Sequence, residues 1–288
     1  MSVTTPFGTV GALCRMVKIE HSIFALPFAW AGAFLAAGAV PSWQSLLFLT
    51  LGMVAVRSFA MAFNRVADLP FDRLNPRTAQ RPLVTGEISP AQTWAFCAVT
   101  AVIFIACCAA LNSLCLYLAV PALLFAAAYS YFKRFSWLCH FWLGATLGLA
   151  PLAGWVAVSP TLHLTPLLFF CAVIFWTAGF DIFYSCQDVE FDRQHGLHSV
   201  PVHFGIQGGL LIAAFSHVMT SLFLLLGGIS AGLSLWWYGV WLLVSLVLLW
   251  EHRLVKADDL SRVNMAFFTL NGIISPVVLL GVLLGIFL

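Results

Sequence analysis

The chain has 288 residues, 62% hydrophobic and only 8% charged, where a soluble domain carries about a quarter charged residues. With a mean hydropathy of +0.99 it has too little polar surface to cover a water-soluble core, so it reads as a polytopic membrane protein. A net charge of +2 gives no basis for a nucleic-acid partner. The eight cysteines include no Cys-x-x-Cys pair and sit almost entirely in apolar runs (Cys97, Cys107, Cys108, Cys171), as small buried hydrophobes do.

A membrane-crossing helix needs about 17 to 25 mainly apolar residues. In chain order the sequence predicts nine: about 19–39, 43–64, 91–111, 114–131, 137–157, 166–187, 207–229, 233–251 and 264–287. The fold class is therefore all-α, one polytopic membrane domain over residues 1–288 with about nine transmembrane helices. The first apolar run follows Arg15 and Lys18 like a signal peptide, but the later runs favour an uncleaved first helix. Twelve of the thirteen Lys and Arg fall in alternate connections: the N-terminus, 65–90, 132–136, 188–206 and 252–263, the last holding Lys256 and Arg262. The positive-inside rule then places the N-terminus and these loops in the cytoplasm, in a cell (inner) membrane, and the C-terminus outside. The thirteenth, Arg57, lies within the second helix, where an arginine needs a cavity or a partner.

Two connections carry nearly the same unit, Asp68-Leu-Pro-Phe-Asp72-Arg73 and Asp188-Val-Glu-Phe-Asp192-Arg193. Four predicted helices separate them, so both emerge on one face, as in a parallel repeat of two halves, about 1–135 and 136–288. Asn64, Asp68 and Asp72 fall on one helical stripe, with Arg57 two turns deeper. Asp188 and Asp192 share another, with Asp181 two turns deeper and Tyr184 and Gln187 nearby. Pro70 would kink or end the first stripe.

One Asp-x-x-x-Asp at a helix end reads more readily as a solvated terminus. Two on the same side, each followed by Arg, in a chain with only eleven acids, favour bound cations, because four converging carboxylates repel one another. Oxygen ligands suit Mg²⁺, which takes one or two carboxylates plus substrate phosphate oxygens. Arg73, Arg77, Arg81, Arg193 and the pair Lys133 and Arg134 can grip those oxygens. The combination points to a lipid diphosphate. For Arg57 and Asp181 the plainer reading is a buried ion pair with each other. His195, His198 and His203 match no zinc spacing, and His21 and His140 read as interfacial residues at helix starts.

At this point the chain resembles the UbiA superfamily of intramembrane prenyltransferases, in particular its prokaryotic 4-hydroxybenzoate polyprenyltransferase-like branch. The run from Arg57 through Asn64, Asp68, Asp72 and Asn75-Pro76-Arg77-Thr78 to Arg81 is similar to the family's first aspartate-rich motif. Tyr131-Phe-Lys133-Arg134 is similar to its tyrosine-lysine-arginine loop, and Asp181 through Tyr184, Asp188 and Asp192 to its second motif. Two positions depart: Arg65 stands where many members carry Asp, and His198 where a lysine is common.

The resemblance implies two Mg²⁺, held by Asn64, Asp68 and Asp72 on one side and Asp188 and Asp192 on the other. They would bind a polyprenyl diphosphate at the mouth of a cavity open to membrane lipid. An aromatic acceptor, 4-hydroxybenzoate in ubiquinone or menaquinone biosynthesis, would be oriented by Arg57, Asp181 and Tyr184. A futalosine-type or dihydroxynaphthoate acceptor is the alternative. From other classes, an ion-coupled transporter would place its carboxylates nearer the midplane, and a CDP-alcohol transferase would show an Asp-Gly-x-x-Ala-Arg run that the sequence lacks. No obligate protein partner is evident.

Overall fold

A computed structural model describes residues 6–18, 24–161, 163–255, 260, 263 and 270–288; Lys256, Arg262, His21 and parts of the first and ninth expected helices lie outside them. The described residues form helices and no strands: Pro6–Val17 (α1), Leu26–Ala37 (α2), Trp43–Ala67 (α3), Leu69–Asp72 (α4), Pro90–Leu111 (α5), Ser113–Phe132 (α6), Cys139–Val158 (α7), Leu164–Ser185 (α8), Val189–Gln194 (α9), Val200–Ser230 (α10), Leu235–Leu254 (α11) and Asn271–Phe287 (α12). A short 3₁₀ turn, Cys186–Asp188, joins α8 to α9. Among the described residues, seven helices are long and apolar enough to cross a membrane, and α2 and α12 are shorter apolar helices. These nine correspond to the nine predicted segments, and the chain is a multi-pass membrane protein.

Several boundaries moved for physical reasons. Helix α1 lies in what reads as a leading loop; it buries Ala12, Met16 and Val17 against Ala62, Ile88 and Cys97. Helix α2 starts at Leu26, with Pro27 in its first turn and left-handed Gly38 ending it, where a missing N–H and a positive φ are tolerated. Arg65, expected in a loop, belongs to α3 and is buried. Helix α10 begins at Val200 and contains a non-helical residue, Gly205, which hides its first turn from a search for an unbroken apolar run. Glu251, expected at a helix end, is wholly buried in α11, its carboxylate 3.6 Å from His217 Nδ1.

Apolar lipid gives helices no hydrophobic reason to associate, so close backbone approach at small residues does that work. Helix α7 is the hub. A Cβ on Gly154 would lie 1.8 Å from Ala29 O in α2, and one on Gly144 2.3 Å from Ile174 O in α8. With its glycines used to seat α2 and α8, α7 turns His140, Leu143, Leu147, Ala150 and Ala153 toward a cavity shared with α3, α6 and α8.

Candidate active site

The cavity has a volume of about 420 Å³, within the range of small-molecule sites. Its wall on α3 runs from Asp68 at the mouth to Met53, fifteen helical rises or about 22 Å. The mouth is polar, and the shaft is lined by Met53, Val56, Phe104, Ala122, Ala126, Leu147, Ala150 and Ala153.

The first rim is built by α3 and α4. Helix α3 stops at Ala67 and Asp68 caps it. Pro70 falls in the first turn of α4, where its missing N–H breaks no helical bond. The Asp68 carbonyl accepts from the N–H groups of Phe71 and Asp72, both at 2.9 Å, so the stripe continues past the proline. Asn64 Nδ2 donates to Asp68 Oδ2 at 2.8 Å. Burial pushes the Asp68 carboxyl above the usual carboxylate range, the Asp72 charge adds to this, and the Asn64 hydrogen bond offsets only part.

The second rim is the end of α8, the 3₁₀ turn and α9, which bring Asp188 and Asp192 to the same mouth. The connection after α4 staples the rims together. Arg77 Nε and Nη2 reach Asp188 Oδ1 and Oδ2 at 2.9 and 2.5 Å, and Arg77 Nη1 donates to the Tyr184 hydroxyl at 2.8 Å. Arg81 Nη1 turns back to Asp72 Oδ2 at 2.5 Å. Asn75 fixes the turn by accepting from the Arg77 N–H at 2.9 Å, and Thr78 Oγ1 donates to Asp72 O at 2.9 Å. Burial works against the Arg77 charge, but hydrogen bonding and attraction from Asp188 outweigh it and hold its pKa above the ordinary value. Lys133 behaves alike, its ammonium 2.8 Å from Asp192 Oδ1.

Of the six basic residues expected near a diphosphate, Arg77, Arg81, Lys133 and Arg134 line the cavity. Arg73 and Arg193 are exposed and lie outside its lining. Arg134 also donates to Ala67 O at 2.5 Å and lies over the Phe71 and Tyr131 rings, so it seals the end of α3. Deeper, Arg57 Nη1 donates to Val17 O at 3.0 Å and Arg65 Nε to Met16 O at 3.3 Å. Two arginines of α3 thus cap the carbonyl end of α1, where positive charge is favoured. Asp181 lies two turns below its rim, and its hydrogen-bond partner is His140, Nδ1 to Oδ2 at 2.7 Å. His140 is 2% exposed, which corrects its reading as interfacial. His198 is exposed and outside the lining.

Sequence reasoning missed Tyr129, Arg65, Asn75 and His140, all in the lining. A signal for Tyr129 was available. Stepping back along α6 from Lys133 at helical spacing gives Tyr129 and Ser130, then Ala126 and Ala122; Tyr131, singled out in the motif, is 42% exposed on another face. Seven basic side chains (Lys18, Arg57, Arg65, Arg77, Arg81, Lys133, Arg134) face five carboxylates across the lining. That excess suits an anion, and the apolar shaft suits a hydrocarbon tail.

Comparison with known proteins places this geometry. The model of the UbiA prenyltransferase family matches residues 25–273. The chain belongs to the UbiA prenyltransferase family. This prenyltransferase is 30% identical to the 4-hydroxybenzoate octaprenyltransferase of Edwardsiella ictaluri (strain 93-146), over 96% of each chain. The apo structure of a UbiA homolog from Aeropyrum pernix K1 is 36% identical, covers 92% of this chain and 98% of its own, and superposes with a TM-score of 0.84. A UbiA homolog from Archaeoglobus fulgidus, solved with GPP and Mg²⁺, shares the fold at 23% identity and a TM-score of 0.75, over 96% of this chain and all of its own.

Proposed function

We propose that this prenyltransferase transfers a polyprenyl group from a polyprenyl diphosphate to the ring of 4-hydroxybenzoate, with Mg²⁺, in respiratory quinone biosynthesis. The observation that carries the reading is the continuity of one cavity: a mouth of carboxylates and cations, an arginine and an aspartate at mid-depth, and an apolar shaft below. The acceptor rests on the relatives named 4-hydroxybenzoate octaprenyltransferase. The clustering of basic residues in alternate loops supports a cell (inner) membrane location with the mouth toward the cytoplasm.

The mouth fits a divalent metal. Its donors are oxygens, and the carboxylate of Asp192, 1% exposed, has the Lys133 ammonium 2.8 Å from Oδ1 and no hydrogen-bond partner on Oδ2. Among the described residues, no three His, Cys, Asp or Glu are grouped so as to hold a metal ion by themselves, so substrate phosphate oxygens would have to complete the shell. Asn64, Asp68 and Asp72 on one rim, and Asp188 and Asp192 on the other, would hold Mg²⁺, which when bound neutralises the charge that grows on departing diphosphate.

The chain's own residues account for the rest. Arg77, Arg81 and Lys133 bind diphosphate oxygens from their places on the rims. The shaft orders the prenyl tail and excludes water, which would otherwise capture the allylic cation. Tyr129, Phe180 and Tyr184 offer aromatic faces at the depth where that cation forms. Arg57 binds the acceptor carboxylate. The allylic C–O bond breaks with its electron pair going to diphosphate, a ring carbon bonds to the allylic carbon, and one proton leaves.

The test is a transfer assay with membranes containing this chain, Mg²⁺, a labelled prenyl diphosphate, and 4-hydroxybenzoate, 1,4-dihydroxy-2-naphthoate or 6-amino-6-deoxyfutalosine. Labelled prenyl-4-hydroxybenzoate is the expected product. Product from one of the other acceptors alone would transfer the assignment to that acceptor.

A further inference from the structure

His140, which the reaction above does not use, stands against the cavity wall with both ring nitrogens engaged. Nδ1 lies 2.7 Å from Asp181 Oδ2. Nε2 is reached at 3.2 Å by the backbone N–H of Val200, the first residue of α10. An N–H can only donate, so Nε2 is the lone-pair nitrogen, and the single ring proton sits on Nδ1, pointing at Asp181. In this arrangement a proton on Nε2 would face the Val200 N–H. The positive end of the α10 dipole opposes it as well. The ring is locked by packing as much as by hydrogen bonds: it is 2% exposed, and Ser199 beside it is wholly buried and caps α10 by accepting from the Val202 N–H.

The consequence lies on Asp181. Its side chain keeps 25% of its surface and lines the cavity. A donor pinned on Oδ2 fixes the plane of the carboxylate and leaves Oδ1 as an acceptor. We propose that His140 is a positioning residue for the prenyl transfer: it presents Asp181 as a fixed proton acceptor for the hydroxyl of the aromatic substrate. This rests on the function proposed above and adds the proton's destination to it. As the ring carbon forms its bond to the allylic carbon and diphosphate departs with the C–O electron pair, the O–H proton passes to Asp181 and the oxygen becomes a carbonyl. The ring hydrogen at the new bond then moves to that oxygen, restoring the hydroxyl and the aromatic ring. The proton on Asp181 leaves with the diphosphate, so one proton is released per turnover.

The arrangement spans three helices, α7, α8 and the start of α10, so it exists only when all three are seated. It also explains why a histidine at the head of α7 is buried at all. A half-satisfied polar group there would cost stability, whereas this one has a partner at each nitrogen.

Two measurements test it. In the first, His140→Leu is compared with His140→Asn and His140→Gln, which keep an N–H donor. The expected result is a kcat for His140→Leu lower by about 10- to 100-fold, as for other residues that orient a reacting group. KM for the prenyl diphosphate stays unchanged, and activity returns substantially in at least one amide variant. A His140→Leu kcat within about twofold of wild type overturns the proposal. So does a loss shared equally by all three variants while they remain folded and bind prenyl diphosphate with Mg²⁺ in a thermal-shift assay.

The second measurement is ¹⁵N NMR of histidine-labelled protein in detergent, with the His140 signals identified by their loss in His140→Gln. The Nδ1–H tautomer is expected, and an imidazolium or an Nε2–H tautomer overturns the proposal. This readout needs no acceptor, so a wrong assignment of the acceptor and a wrong role for His140 are told apart.

Discussion

Arg77 and Asp188 are 111 positions apart in the chain, yet two hydrogen bonds of 2.9 and 2.5 Å join them across the mouth of the cavity. The pair ties the loop of the first aspartate-rich unit to the carboxylate of the second. The two rims are therefore one structure, and a guanidinium that can grip phosphate already sits on a carboxylate proposed above to hold metal.

Replacing Arg77 by alanine should raise KM for the prenyl diphosphate about tenfold or more, the value of a charge-assisted hydrogen bond. Lysine should not restore it, because a point charge cannot reproduce two parallel N–H bonds. Steady-state kinetics with varied prenyl diphosphate check both. An Arg77→Lys enzyme with wild-type KM would contradict the bidentate role.

Asp68→Ala and Asp188→Ala should each lower transfer by on the order of 100-fold or more, since each removes an oxygen donor where diphosphate charge develops. Both proteins should still fold, because the helices are seated by backbone contacts elsewhere, such as those at Gly144 and Gly154. Chelation of divalent ions should silence the wild type and Mg²⁺ should revive it. Survival of full activity in chelator would remove the metal from the scheme.

Arg57→Ala should raise KM for a carboxylate-bearing acceptor about tenfold and leave KM for the prenyl diphosphate nearly unchanged. Arg57 also donates to Val17 O, so a modest fall in thermal stability should accompany the kinetic effect. An acceptor without a carboxylate serves as the control, since it should not register the loss of the charge.

Ala126→Phe should block the shaft between the mouth and its apolar end. Long-chain prenyl diphosphates should become poor substrates while geranyl diphosphate, which ends above the block, remains good. The ratio of kcat/KM for the two donors is the measurement, and an unchanged ratio would mean that the tail runs elsewhere.

Gly154→Val should destabilise the protein by about 2 kcal/mol or more, an overpacking cost, because a Cβ there would lie 1.8 Å from Ala29 O. A lower melting temperature in detergent is expected. An unshifted melt would mean that α2 and α7 can separate without penalty.

Much of this was legible from the chain alone, and the reasons are local. Runs of apolar residues locate the helices because each must satisfy its own backbone hydrogen bonds in lipid. The helical stripe from Arg57 through Asn64 and Asp68 follows from a 3.6-residue period; α3 ends at Ala67 just before Pro70, as expected, and the short α4 carries the stripe on to Asp72. Arg73, Arg77 and Arg81 carry the same spacing, but their segment is mostly turns, so spacing gave no information about which of them face the cavity. Tyr131 was singled out where Tyr129 lines the site, although the helical period of α6 distinguishes them.

By itself the sequence determined the membrane class, the helical architecture, the family and the two aspartate-rich units. Hydropathy, periodicity and motif spacing are properties of neighbouring residues and need no fold to be read. Only the tertiary structure decided that Arg77 crosses to Asp188, that Arg65 and Arg57 cap α1, and that His140 turns inward between Asp181 and the start of α10. Those pairings depend on where distant helices seat against one another, and that seating is set by backbone contacts at residues such as Gly144 and Gly154, whose partners no local pattern names.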